Sequence, residues 1–572
     1  MGTGWASGSL MHTPPLSTGG GGNHSLMDLP KKTLDPGRMG KRRAWVLLAV
    51  QVLILLHVAW WLVFGRTIAP LEPSESMAFA KEGVVNPGLI LFASAILATF
   101  LFGRFFCGWG CHLLALQDGY RWLLLKWKIP LRPFRSRLLR LVPVAAFVYM
   151  FLWPFLVRIG TDQAHPGITE VEMTTAAFWQ TFPGLWESLL TLFLAGAYVV
   201  QLMGTKSFCT YACPYGAILS VASAVSPASI RVSDACEGCG KCTAACSSGV
   251  RVHEEVRDYG MVISTDCMKT LDCVAACPND ALSFGFGAPA AFAKRRASGK
   301  VSSAGIPTWP EEGLLTLGFA LGFFSSHGAY GKVSFLLALA FGMVTAILSL
   351  HLKRVFTSPN YRPSKKPWRQ QGKWTRQGIL KTATVIAVLL LFVHASFVQV
   401  HARQRDQAFA GTMGFRNAWL MGQALAPAPE GLQGLSAEAV EHASWTRRFG
   451  LFPDARDSFI LAWDRLFAGD INGFEEGMEE VLRQRPGFGE VLFQYGRHLA
   501  LMGRSEEALV IWEQVSPRDP RYFDTRQDMI FEHRGLGNEA EVELLEADLR
   551  QRGYPLDAVP GRILPDGHEH AR

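Results

Sequence analysis

Cysteine is absent from the first 106 residues of this 572-residue chain and again from everything after position 277. The second absence excludes more. Residues 401–572 offer no thiolate and no Met/His cluster of the kind a copper centre uses, so soft-metal redox chemistry is not expected there. Acidic side chains are missing in a second pattern. Segment 353–377 has eight Lys/Arg and no Asp or Glu, and 104–140 has eight against Asp118 alone. Both flank apolar runs, where basic residues mark the cytoplasmic side of a membrane. The net charge of +8 therefore reads as membrane flanks and not as a nucleic-acid surface.

The chain is 49% hydrophobic, with 17 Trp and 37 Phe, and too long for one core. Residues 1–43 read as a disordered, basic tail. The run from Trp45 to Phe64 is long enough to cross the ~30 Å hydrocarbon core and too long and Trp-rich for a cleaved signal peptide. Further spans are expected at 88–106, 138–157, 184–204, 313–330, 333–352 and 378–400; Ser325, Ser326 and His327 interrupt the fifth. The loops 66–87 and 158–183 lean acidic (Glu72, Glu75, Glu82; Asp162, Glu170, Glu172). With the N-terminus inside, every basic loop falls in the cytoplasm, and an odd number of spans puts 401–572 outside.

All eleven cysteines lie between 107 and 277. Cys236-x2-Cys239-x2-Cys242-x3-Cys246 and Cys267-x5-Cys273-x3-Cys277-Pro278 follow the spacing of a two-cluster bacterial ferredoxin, in which the fourth thiolate of each cluster comes from the other motif. Cys236, Cys239, Cys242 and Cys277 are expected to hold one 4Fe-4S cluster. Thr270 replaces the second cysteine of the second motif, which leaves Cys246, Cys267 and Cys273. Their cluster is 3Fe-4S, or 4Fe-4S with an oxygen ligand or a cysteine from elsewhere; Asp266 and Asp272 are the nearest carboxylates. Zinc is disfavoured, because its sites use longer spacings.

Cys107/Cys111 and Cys209/Cys213 are two C-x3-C pairs at the ends of apolar runs. If the helices continue through them, residues four apart share a face, and two such faces offer four thiolates at the membrane surface. That is enough for an iron, a small cluster or a dithiol relay. A disulfide is not expected on a reducing face, and buried thiols acting as small hydrophobes are the bland alternative.

Twin C-x3-C motifs at membrane-helix ends, followed by a double ferredoxin motif, resemble the membrane polyferredoxins of the NapH, NosR and CcoG types over residues 45–290. Cys209, Cys213 and Pro214 match that pattern fully; His112 stands where the first motif has proline, as a ligand or as a substitute. The resemblance implies a multi-pass inner-membrane protein that relays electrons between quinol or a cytoplasmic donor and an outer-face redox partner. Nothing before the first span resembles the flavin-binding domain of the nitrous oxide component.

His57 and His394 lie within spans and are the pair a bis-histidine haem would need. Neutral histidines hydrogen-bonded between helices are the simpler reading, so haem is not assigned; His327 and His401 are expected near the outer surface. Gly469, Gly503 and Gly537 are spaced by 34 residues, as are Pro486 and Pro520. Gly503-Arg504-Ser505-Glu506-Glu507-Ala508-Leu509 resembles a tetratricopeptide-repeat turn, with Gly496 at the small first-helix position. His498 and His533 read as helix-surface residues, and the repeats as a module for docking a protein or peptide.

The fold expected is mainly α: a polytopic helical bundle of about seven spans with an inserted two-cluster ferredoxin-like α+β module and a C-terminal α–α repeat domain. Its parts are the tail 1–43, four membrane helices within 44–207, the ferredoxin module 208–290, helices five to seven within 291–402, a linker 403–454, repeats 455–556 and a tail 557–572. The function expected is iron–sulfur electron transfer, with quinone or a further cofactor carrying charge across the bilayer. Copper reduction for metal-centre assembly and redox sensing through the repeats are the rivals.

Overall fold

The computed structural model describes residues 37–551 except 130, 132–133, 162–164, 166, 176–183, 297–305, 332, 364–365, 518 and 520. Most of the basic tail, Asp162, Pro520 and the segment 557–572 lie outside the described residues.

Among the described residues, runs rich in Leu, Val, Ala and Phe form five helices long and apolar enough to cross a bilayer: Met39–Phe64, Leu139–Gly160, Leu185–Met203, Phe335–Thr357 and Arg376–Ala410; the second continues through Pro143 and Pro154. On the first of these Leu53, Leu55 and Val63 point outward, as lipid-facing side chains do.

Two expected spans take another form. Pro87–Phe102, capped by Asn86, stops at Gly103 (φ 65°) and does not run to 106. Its 16 residues rise ~24 Å, short of the hydrocarbon core. Trp309–Ser326 opens with Glu311 and Glu312, which lower its apolarity. It is held by protein instead. Gly318 and Gly322 let it lie against Phe335–Thr357, where a Cβ on Gly318 would come within 3.0 Å of the Ala346 backbone, and Thr345 Oγ1 donates to the Gly318 carbonyl at 2.6 Å. Glu312 is fully buried because Ser136 Oγ and the N–H groups of Arg137 and Leu138 donate to it at 2.5, 2.9 and 3.3 Å.

The ferredoxin module pairs Ala228–Val232 antiparallel with Leu282–Phe286 around Ile230, Val256 and Val262. Met39 at the start of the first membrane helix packs on that core, and Arg135 donates to the Gly249 carbonyl at 2.7 Å. At the other end of the bundle Thr67–Ile68 pairs with Thr174–Thr175, and Val84–Val85 with Glu170–Val171, tying the two acid-leaning loops together.

The stretch expected as a linker, 403–454, is mostly helical: Arg376–Ala410 runs on past the apolar part, followed by Met413–Leu420 and Glu430–Phe449. Glu430–Phe449 buries Ser436, Ala439, Ala443 and Thr446, small residues at helical spacing that pack on its neighbours. Beyond it three helix pairs span 455–551, turning at Gly469, Gly503 and Gly537, all with positive φ. Gly496 lets two helices touch, since a Cβ there would meet the Trp512 indole at 2.3 Å. His498 is not on the surface: it is fully buried, and its Nε2 meets Glu475 Oε1 at 3.0 Å.

Candidate metal centres

The eleven thiols fall into three groups. In the ferredoxin module Cys236, Cys239, Cys242 and Cys277 line one cavity together with His253, Val256 and Pro278. Gly238 and Gly240, both at positive φ, let the loop bend around it. Cys246, Cys267 and Cys273 form the second group. Burial, then the neighbouring Cys267, pushes the Cys246 thiol up to about 12, and burial with Cys267 and Cys246 raises Cys273. Of the two carboxylates named for this group, Asp266 turns away to Arg140 (2.5 Å). Asp272 stays beside Cys273, its Oδ2 held by Ser247 Oγ at 2.7 Å and Thr270 Oγ1 at 3.0 Å.

The third group is the C-x3-C set. The helices do not continue through these motifs. Each motif is a five-residue helix, Phe105–Trp109 or Ser207–Tyr211, and a break, after which the second cysteine caps a new helix, His112–Lys126 or Pro214–Ala224. The expected convergence of the two pairs comes from this folded-back shape. Cys107, Cys111 and Cys209 pack together with Leu47, Leu114 and Met268. Burial, then Cys209 and Cys107, lifts the Cys111 thiol to about 12, and burial with Cys209 and Cys111 raises Cys213. Thiols that penalise one another's ionisation are suited to sharing a cationic metal cluster, whose binding releases their protons.

Residues that sequence reasoning passed over surround this site. Arg104 is 2% exposed, and its charge interacts with Cys107, Cys209 and Cys213. Gln117 Nε2 donates to Cys209 Sγ at 2.9 Å. Lys206, fully buried, pairs with Asp118 at 2.7 Å, and Arg43 from the first membrane helix pairs with the same carboxylate at 2.5 Å. The Arg104 Nε and Gln117 Oε1 atoms are buried without a hydrogen-bond partner, which is rare for buried polar groups. Among the described residues no three metal-binding side chains stand close enough for a single ion. The ferredoxin four-thiol set instead encloses a cavity, and these residues fit clusters better than a lone metal. An offset of 102 residues, aligning Arg104 with Lys206, Phe106 with Phe208 and Trp109 with Tyr211, was the signal available in the sequence.

The second and third groups are adjacent. A Cβ on Gly108 would sit 2.1 Å from the Met268 carbonyl oxygen. Trp109 Nε1 donates to the Lys269 carbonyl at 3.0 Å and Arg104 Nη1 to the Thr265 carbonyl at 3.1 Å. From the far end of the bundle, Glu72 reaches to 3.5 Å from His112 Nε2.

The histidines considered for haem are not brought onto facing helices. His57 Nε2 meets the Ile68 carbonyl at 3.0 Å, and the helix carrying His394 packs on Trp309–Ser326, Phe335–Thr357 and Glu430–Phe449. His401 meets His442, Nδ1 to Nδ1, at 3.0 Å. His533 lies near Asn538 Nδ2 at 3.4 Å.

Comparison with known families gives two matches. A 4Fe-4S binding domain family matches twice, at 87–132 and 186–231, once for each C-x3-C pair, and a 4Fe-4S dicluster domain family matches 228–278. Among curated proteins, YccM of Escherichia coli, described as an electron transport protein, is 28% identical over 226 residues, 36% of this chain and 58% of YccM. The ferredoxin-type protein NapH of Haemophilus influenzae is 27% identical over 230 residues, 38% of this chain and 74% of NapH. The match thus spans a little over half the length of YccM. No solved structure is similar at a significant level. The chain carries ferredoxin-type 4Fe-4S domains joined to membrane-length apolar helices, and these comparisons support the polyferredoxin family, as the twin motifs implied.

Proposed function

We propose that this protein relays single electrons through three thiolate-bound iron–sulfur centres, from a ferredoxin module on the cytoplasmic face of the inner membrane toward the outer face. The observation that carries this reading is the contact of the Met268–Lys269 backbone with Gly108 and Trp109, which joins the second ferredoxin site to the C-x3-C site. When bound, the clusters supply one-electron storage with little rearrangement. The chain's own residues do the rest. Cys236, Cys239, Cys242 and Cys277 hold the entry site; Cys246, Cys267 and Cys273, with Asp272 as the oxygen ligand if a fourth iron is present, hold the middle one. Cys107, Cys111, Cys209 and Cys213 hold the third. Glu72 beside His112 brings the outer loops within reach of that site, so a quinone or outer redox partner need not bridge the whole bilayer.

In this reading all seven segments cross, with Pro87–Phe102 and Trp309–Ser326 as short members sheltered by their neighbours, and 401–551 lies outside. Met39 packed on the ferredoxin core supports an internal N-terminus. The helix pairs form a tetratricopeptide-like docking module, whose groove presents Leu482, Tyr495, Leu499 and Ile511 between Arg483 and Arg504. EPR with iron and sulfide analysis on anaerobically purified protein tests the relay. Cys267→Ala should remove one signal only; loss of every signal, or of none, refutes the ligand partition. Quinol-dependent reduction of the clusters would identify the quinone pool as a partner.

A further inference from the structure

The two C-x3-C motifs each carry a cation three positions before the first cysteine, Arg104 and Lys206. Both are buried, but their surroundings differ. Lys206 has a carboxylate partner, Asp118, which it shares with Arg43. Arg104 has no carboxylate partner among the described residues. Its Nη1 donates to Ser220 Oγ and to the Thr265 carbonyl, both at 3.1 Å, and its Nε is unpartnered. A guanidinium stays charged at any pH a protein meets. Arg104 is therefore a permanent buried positive charge close to the thiols: a Cβ on Gly216 would lie 3.2 Å from Arg104 Nη2, 3.6 Å from Cys213 Cβ and 2.9 Å from the Cys209 carbonyl oxygen, and the charge acts on Cys107, Cys209 and Cys213. The neighbouring site differs in having a carboxylate, Asp272, beside Cys273, with Lys206 and the buried Lys269 near it. Adding an electron to a thiolate-bound cluster adds negative charge, which a cation in contact favours and a carboxylate opposes, strongly so away from water.

We propose that Arg104 holds the C-x3-C centre at a higher potential than the Cys246/Cys267/Cys273 centre, and so directs electrons from the ferredoxin module into the membrane domain. This deepens the relay reading and rests on it. The step is balanced within the protein: one electron leaves the ferredoxin site and one arrives at the C-x3-C site, with no bond or proton exchanged. Arg104 also ties the two sites together, because Thr265 lies two residues before Cys267. It is a positioning and tuning residue, not a ligand.

The test is an EPR-monitored redox titration of the full-length protein in detergent, with the C-x3-C signal identified as the one lost in Cys107→Ser. Arg104→Gln should lower the midpoint of that signal by at least a tenfold change in its one-electron equilibrium, about 59 mV. The signal of the Cys236 site should stay where it is, and Arg104→Lys, which keeps the charge, should restore most of the shift. Should Arg104→Gln not accumulate, Ser220→Asp leaves Arg104 in place but pairs it, and should move the midpoint the same way. A signal that is present but unmoved in these variants overturns the role of Arg104 alone. The absence of any signal removable by Cys107→Ser overturns the relay reading together with it.

Discussion

The two C-x3-C halves share a plan and divide a task. In each, a five-residue helix holds the first cysteine and the second caps the next helix. The anchoring aromatics then diverge. Trp109 donates to the Lys269 carbonyl of the ferredoxin module, whereas Tyr211 donates to the Phe134 carbonyl at 3.1 Å, just before the helix Leu139–Gly160. Gly108 permits the backbone of the first half to touch Met268; its counterpart Thr210 keeps a side chain. The first half docks the soluble module and the second packs into the bundle. One sequence unit, used twice, thus joins a water-exposed redox domain to an apolar frame.

The largest effect should come from the shared thiols. If both halves serve one centre, Cys107→Ser and Cys209→Ser should each abolish the same EPR signal and lower the iron content equally, sparing the ferredoxin signals. A signal surviving in one of the two variants would break the equivalence of the halves.

Next in size is the buried charge group that joins the halves, Asp118 of the first with Lys206 of the second and Arg43. Asp118→Asn leaves Lys206 and Arg43 without their carboxylate, a loss of about 3–5 kcal/mol for a buried pair, read as a lowered thermal midpoint in detergent. Adding Lys206→Met should recover part of it. Burial alone would raise the Asp118 carboxyl, but Lys206 and Arg43 outweigh it and hold it below the usual carboxylate range. A depressed folded-state pKa contributes stability that is present above the unfolded value near ~3.9 and is lost as pH falls through the folded one. The gap between the wild-type and Asp118→Asn midpoints should therefore be constant from neutral pH to about pH 5 and close below about pH 4. A gap that widens in acid would reverse the sign of the linkage.

The comparison of halves also shows how far the sequence could be read. Cysteine spacing limits which thiols one loop can present, and Cys236, Cys239, Cys242 and Cys277 line one cavity. The matched depth of Cys107/Cys111 and Cys209/Cys213 pointed to their proximity, and Cys107, Cys111 and Cys209 pack together. Their folded-back geometry was not legible, since it depends on Gly103 and Gly204 adopting positive φ, for which apolar periodicity carries no signal. Hydropathy marked where Pro87–Phe102 and Trp309–Ser326 lie but not that protein contacts sustain them, because Glu312 is compensated by the Ser136 hydroxyl and two backbone N–H groups 174 to 176 residues away. Residues 403–454 read as a linker because their composition is polar, although Ser436, Ala439, Ala443 and Thr446 already showed a helical stripe of small residues.

A smaller effect is expected at the docking contact. Gly108→Ala forces the Met268 carbonyl aside, at about 1–3 kcal/mol, and should slow reduction of the C-x3-C centre by a donor acting at the ferredoxin module. Thr210→Ala, the matching change in the other half, should stay within about 0.5 kcal/mol and leave that rate alone. Equal effects would mean that the halves do not divide docking and packing as described.

The smallest effect should come from making the halves alike. His112 and Pro214 both occupy the first position of a helix capped by cysteine. Proline is at home there, because its fixed φ suits the helix and the N–H it lacks has no intrahelical acceptor to lose. His112→Pro should cost only the partly exposed contact with Glu72, at most about 1 kcal/mol, and leave iron content and the C-x3-C signal unchanged. Were that signal to disappear or change its g-values, His112 would be a ligand, and the first half would bind its share of the centre through a group that the second half does not possess.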